Sequence, residues 1–150
     1  MALAISLHIL SAVVWIGGMF FAYMALRPVT AILLEPPVRL KVWEQVFKRF
    51  FPWVWMAVIV LLVTGFWMVF GFGGMAKVGL YVHLMIGLGI VMMFIFMHVY
   101  FGPFRRLQKA VAESNWTEGA IKLNQIRLLI ATNLVLGLLV VVIAAAGRYI

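Results

Sequence analysis

Four long stretches of this sequence contain no Asp, Glu, Lys or Arg. They cover residues 2–26, 50–76, 78–104 and 128–147. Each is at least as long as the roughly 20 residues that an α-helix needs to cross the hydrocarbon core of a bilayer. Membrane β-strands would instead alternate in polarity over about ten residues, and these stretches do not alternate. The sequence therefore predicts an all-α, polytopic membrane protein built as a bundle of four transmembrane helices.

The composition supports a membrane protein and excludes several other classes. Hydrophobic residues make up 67% of the chain, which leaves too few polar side chains to cover a soluble domain. Because the sequence has no cysteine, disulfides, thiolate metal sites and covalently attached c-type haem are excluded. The net charge of +8 does not indicate a nucleic-acid partner, because the basic residues fall in two short loops beside apolar spans.

The distribution of basic residues predicts the orientation. Ten lysines and arginines lie in segments 27–49 and 105–127, whereas only Lys77 and Arg148 lie on the other side. By the positive-inside rule, both basic segments face the cytoplasm and both termini face the periplasm. We therefore expect a multi-pass protein of a bacterial inner membrane, in contact with the lipid bilayer.

Prolines and glycines predict where the helices end. We expect Pro28 to end the first helix, Pro52 to lie in the first turn of the second and Pro103 to close the third. A tight turn is expected at residues 71–74, which include three glycines. No repeat or linker interrupts residues 1–150, so we expect a single transmembrane domain. Its helices are predicted at about residues 3–26, 51–72, 78–103 and 126–147.

Short amphipathic helices are predicted on the cytoplasmic side. In segment 41–50, one helical stripe is apolar and faces away from the charged positions, which is typical of a helix lying at the membrane interface. The stripe contains Val42, Trp43, Val46, Phe47 and Phe50. A short basic helix is expected between Pro103 and Glu113. After it, Asn115 and Glu118 have the spacing of a capping box for a helix that continues into the fourth span.

Three histidines are the only ionisable groups of functional interest inside the spans, since no span contains a carboxylate. His8 is expected about 9 Å, and His83 about 8 Å, from the outer boundary. Two imidazoles at matched depth on different helices suit the axial ligation of a b-type haem. Either histidine could instead serve only to hydrogen-bond a neighbouring helix.

The surroundings of these two histidines fit a haem slot. Gly87, four residues after His83, removes side-chain bulk on that face, and Trp15 supplies an apolar wall on the face of His8. Arg148, together with Lys77, could pair with haem propionates at the outer end. We therefore predict His8, His83, Gly87, Trp15 and Arg148 as the cofactor-binding set.

His98 lies fifteen residues after His83, which is about 22 Å along the helix and a rotation of about 60°. It is therefore expected near the inner boundary. It could belong to a second or alternative metal site, line a quinone-like site or extend to the interface. No second histidine lies at its depth, so a second bis-histidine haem within one chain is excluded, whereas a His/Met pair with Met24 or Met56 stays open.

Several of these residues also resemble a known group of proteins. The first span, from His8 through Trp15 and Gly18 to Arg27, is similar to the first helix of CopD-like and HemJ-like membrane proteins. The third span resembles them in His83 and in His98 with its following basic stretch, and the fourth in its entry through Trp116. Leu84, Met85 and Ile86 follow His83, where HemJ-type proteins carry a lysine.

The resemblance implies one of two activities. HemJ-type proteins are protoporphyrinogen oxidases that bind b-type haem through the histidine of the first helix, whereas CopD-type proteins are associated with copper resistance or uptake. Our leading prediction is a haem b protein that performs one-electron redox chemistry, as an electron-transfer protein or an oxidoreductase. Its partner would be a quinone, a cytochrome or a porphyrinogen.

Two other interpretations remain open from the sequence. A copper-handling protein would use the same histidines, with Met85 as a soft ligand for Cu(I). A structural or assembly subunit would use the histidines only for packing, and a homo-oligomer is compatible with any of the three.

Overall fold

The computed structural model describes residues 1–147 and residue 149. It confirms the predicted fold class, because four helices are long and apolar enough to cross a membrane and no strand is present among the described residues. We label them α1 to α4, in chain order. They span Ala2–Leu33, Pro36–Gly71, Leu80–Ala112 and Trp116–Ala146.

Two prolines expected to end helices lie within them instead. In α1, a π-helical turn at Ala22–Leu26 precedes Pro28, and the helix continues to Leu33. In α3, Pro103 lies inside a π-helical turn at Tyr100–Phe104, and the helix continues to Ala112. The prediction that these prolines end their helices is wrong. A wider turn accommodates the missing N–H and the ring, so the helix does not have to stop.

The amphipathic segment before the second span is also part of a continuous helix. Helix α2 begins at Pro36 and carries Pro52 in its interior, not in its first turn. Trp43 and Phe47, from the predicted interfacial stripe, are buried in the bundle. The apolar stripe was therefore identified correctly, but it packs against the protein's own helices instead of the lipid interface.

The connections follow the predicted local chemistry. Asn115 caps α4 by accepting a hydrogen bond of 3.1 Å from the backbone N–H of Glu118. Between α2 and α3, Gly73 and Gly74 adopt positive φ angles of 96° and 92°, a region that favours glycine. A short 3₁₀ turn at Met75–Lys77 completes this connection.

Packing is strongest at the end of the bundle that carries the two basic segments, which we call the basic end. Helix α1 packs mainly on α2, and α3 mainly on α4. An aromatic cluster joins the two pairs, with Phe51 stacked on Phe47 at 5.1 Å between ring centroids and edge-on to Phe96 at 5.5 Å. Trp15 meets the same Phe96 edge-on at 6.2 Å.

At the opposite end, few residues are buried. In α1 and α2 they are Ala4, Thr64 and Val69, and in α3 no residue before Met92 is buried. Within the most apolar window of each helix, only 11 to 28% of the residues are buried inside the chain. The remaining apolar surface has to face lipid, so the protein is a multi-pass membrane protein.

Candidate functional site

His8 lies against α2 and forms a hydrogen bond with it. Its Nδ1 is 2.8 Å from the hydroxyl oxygen of Thr64. The ring also passes over Gly65, where an added Cβ would come within 3.4 Å of the His8 Cε1 atom. A glycine at this position thus allows the half-buried imidazole to approach the helix backbone.

The hydrogen bonds of Thr64 favour one tautomer of His8. The Thr64 hydroxyl donates its only hydrogen to the backbone carbonyl of Val60, one turn earlier in α2. Toward His8 this hydroxyl is then the acceptor, which favours the tautomer in which the His8 Nδ1–H is the donor. In the neutral imidazole, the lone pair then resides on Nε2, the atom that can bind a metal.

His83 has the same tautomer for a different reason. Its Nδ1 lies 3.2 Å from the backbone carbonyl of Gly79, which can only accept a hydrogen bond. The His83 Nε2 therefore also carries the free lone pair when the ring is neutral. Unlike His8, His83 is exposed, and its polar partner is the N-cap residue of its own helix.

His8 and His83 do not contact each other in the structure. His8 is bonded to α2 and His83 to its own helix, and α1 and α3 each pack mainly on another helix. His83 lies on an exposed face of α3 that also includes Gly87, where an added Cβ would meet no atom within 4 Å. The axial-ligand pairing remains a prediction.

The other predicted site residues are distributed along the bundle. Trp15 is only 3% exposed and forms part of the aromatic core between the helix pairs. His98 is exposed near the basic end, with its ring close to Gly102. Met85 is half-buried on α3. Arg148 lies outside the described residues.

Two polar residues in the spans were missed by the sequence reasoning, and both had a detectable signal. Thr64 is the only hydroxyl-bearing residue in stretch 50–76, and Asn133 is the only carboxamide in the four charge-free stretches. Asn133 is buried, and its Nδ2 donates to the backbone carbonyl of Met92 at 3.2 Å. Its Oδ1 has no hydrogen-bond partner among the described residues.

The comparison with family models identifies the group to which the chain is related. The model of the family described as CopD, copper resistance protein D, matches residues 44–146, which is more than two thirds of the chain. The chain belongs to the CopD family. No curated protein and no solved structure gives a significant match.

Membership in the CopD family supports the copper side of the sequence resemblance, while the HemJ-like side stays a prediction. The matched region contains Thr64 and His83 but begins after His8. Within residues 1–147 and 149, no group of three or more His, Cys, Asp or Glu side chains forms a closed metal cage.

A Thr64→Val substitution tests the tautomer assignment. Valine keeps the shape of the side chain but removes the acceptor, so the His8 Nδ1–H loses its partner and both neutral tautomers become populated. Nitrogen NMR of ¹⁵N-histidine-labelled protein measures the tautomer directly. We expect wild-type His8 to be protonated on Nδ1, and the variant to give a mixture.

Thr132→Val is the matched control for this experiment. The Thr132 hydroxyl also bonds back to a carbonyl in the previous turn, that of Leu128, but has no histidine partner. The His8 signals should be the same in this control as in the wild type. A wild-type His8 with its proton on Nε2 would contradict the assignment.

Proposed function

We propose that this CopD-family protein handles copper in the membrane, and that His8 binds Cu(I) through Nε2. The observation that carries the proposal is the chain of hydrogen bonds from Val60 through Thr64 to His8. Metal-binding histidines commonly donate their other ring N–H to an oxygen acceptor, which fixes the ring and its tautomer. Here that arrangement occurs inside an apolar span, where placing an imidazole without a function would cost free energy.

Soft ligands are available at the contact between α1 and α2, which also contains His8. The Met1 methyl lies over Gly71, where an added Cβ would come within 2.5 Å of it. Met68 follows Thr64 by four residues, so it shares that face of α2, and it is half-buried. Thioether and imidazole together favour Cu(I) over harder ions. We propose that copper passes between these side chains at the end of the bundle opposite the basic end.

The proposal includes an orientation. The basic end is assigned to the cytoplasm because ten of the twelve lysines and arginines lie in its two segments. The contact between α1 and α2 that contains Met1 and His8 would then lie on the periplasmic side of a bacterial inner membrane.

Replacing His8 with alanine should lower the affinity for Cu(I) by at least about tenfold, because the imidazole ligand is lost. Thr64→Val should weaken binding by about tenfold and by less than His8→Ala, since it removes only the support of that ligand. Competition of the purified protein with a colorimetric Cu(I) chelator measures both effects. His98→Ala is the control, because His98 lies at the opposite end of the bundle from His8, and it should bind like the wild type.

Equal Cu(I) affinity in the wild type and in His8→Ala would refute the assignment of His8. If the wild type itself did not compete with the chelator, the copper function would be refuted as well.

Binding of b-type haem is the second candidate function. It is favoured by His83, whose Nε2 is also free, and by the open face at Gly87 beside it. A haem held by His8 and His83 would supply a low-spin iron for one-electron transfer to a quinone, a cytochrome or a porphyrinogen. Two imidazoles suit this ligation, whereas the predicted propionate partner Arg148 lies outside the described residues.

An absorption spectrum of the purified membrane protein distinguishes the two candidates. Haem ligation predicts a reducible low-spin b-type spectrum that is lost in both His8→Ala and His83→Ala and kept in His98→Ala. A wild-type protein that binds Cu(I) but shows no such spectrum after expression with added haem would exclude the second candidate.

A further inference from the structure

A cavity at the basic end brings together three arginines from three segments of the chain. Its volume is about 310 Å³, and it lies between the last turns of α1, the start of α2 and the first turns of α4. Its polar lining comprises Arg27, Arg39, Arg127, Tyr23, Thr30 and Asn124. No aspartate or glutamate lines it.

Arg27 and Arg39 are positioned by contacts with neutral groups. The guanidinium of Arg27 lies over the Tyr23 ring, 4.9 Å from its centroid. Thr30 donates to the Arg27 carbonyl at 3.0 Å and accepts from the Trp43 indole N–H at 3.1 Å, which joins the end of α1 to the start of α2. The Arg39 guanidinium donates to the Ala31 backbone carbonyl at 3.5 Å. These contacts hold the cavity walls together without an anionic partner for the guanidinium groups.

The chain supplies no counter-ion for these three charges among the described residues. It has only four acidic residues. Two of them pair with lysines, in Lys109–Glu113 and Lys122–Glu118, and the other two make no ion pair with an arginine. The Nε of Arg127 is buried and has no hydrogen-bond partner among the described residues. A buried charged donor without a partner is unfavourable, and three like charges around one cavity repel each other.

We propose that this cavity binds a phosphate group, supplied by an anionic phospholipid of the cytoplasmic leaflet. Guanidinium groups bind phosphate oxygens through paired, charge-assisted hydrogen bonds, which suits three arginines on one cavity. The remaining walls are apolar and include Leu40, Trp43 and Ile130, so they can contact the lipid next to its headgroup. Basic pockets between membrane helices on the cytoplasmic side bind such headgroups.

Native mass spectrometry of the purified full chain, titrated with phosphatidylglycerol or phosphatidylcholine, tests the proposal. The wild type should retain one phosphatidylglycerol in preference to phosphatidylcholine. Arg127→Gln and Arg39→Gln should each weaken phosphatidylglycerol binding by about tenfold, since each removes charge-assisted hydrogen bonds. Arg127→Lys should recover part of the affinity, because it keeps the charge while losing the planar fork.

Arg106→Gln is the matched control, because Arg106 is an exposed arginine at the same end that does not line the cavity. It should bind phosphatidylglycerol like the wild type. Circular dichroism of every variant checks that the helices are intact. Equal weakening in Arg106→Gln, equal wild-type binding of both lipids, or unchanged binding in Arg39→Gln and Arg127→Gln would overturn the proposal.

Competition with inorganic phosphate shows whether the phosphate group bound in the cavity belongs to a lipid headgroup or is free phosphate. If excess phosphate leaves the lipid bound, the lipid headgroup is the ligand. If phosphate displaces the lipid and itself binds more weakly in Arg127→Gln, the phosphate chemistry of the cavity stands but free phosphate is its ligand.

Discussion

In the hydrocarbon core of a membrane, backbone N–H and C=O groups have no water to bond with, so each must find its partner within its own helix. This constraint favours unbroken helices across the spans, and α1, α2 and α3 continue through Pro28, Pro52 and Pro103. In α1 and α3, a π-helical turn at or just before the proline rearranges the bonding without ending the helix. The long helices then extend beyond the apolar core and bring Trp43 and Phe47 into contact with the rest of the bundle.

The same constraint governs polar side chains in the spans, and the candidate site follows from it. Thr64 bonds back to Val60 in the helix turn before it, and its remaining acceptor capacity is directed to His8. His83 bonds to the carbonyl of Gly79, the N-cap residue of α3. Each imidazole thus donates from Nδ1 and keeps Nε2 free, although the two rings have different surroundings.

The sequence predicted the number of helices, the Asn115 cap and the glycine turn well, because these depend on local composition and spacing. It failed at Pro28 and Pro103, because whether a proline ends a helix depends on the solvent around it and on the turn that precedes it. The pairing of His8 with Thr64 was not predictable from spacing alone, since it depends on how α1 and α2 are aligned. The arginine cavity was missed for the same reason, as Arg27, Arg39 and Arg127 are distant in sequence and were assigned only to topology.

The central claim is that the His8–Thr64 pair presents Nε2 of His8 to a metal ion. X-ray absorption spectroscopy at the copper K-edge, on purified protein loaded with one equivalent of Cu(I), tests it most directly. The account predicts outer-shell scattering from an imidazole ring in the wild type, together with sulfur scattering from methionine. The imidazole contribution should disappear in His8→Ala and persist in His98→Ala. Identical imidazole scattering in the wild type and in His8→Ala would contradict the claim.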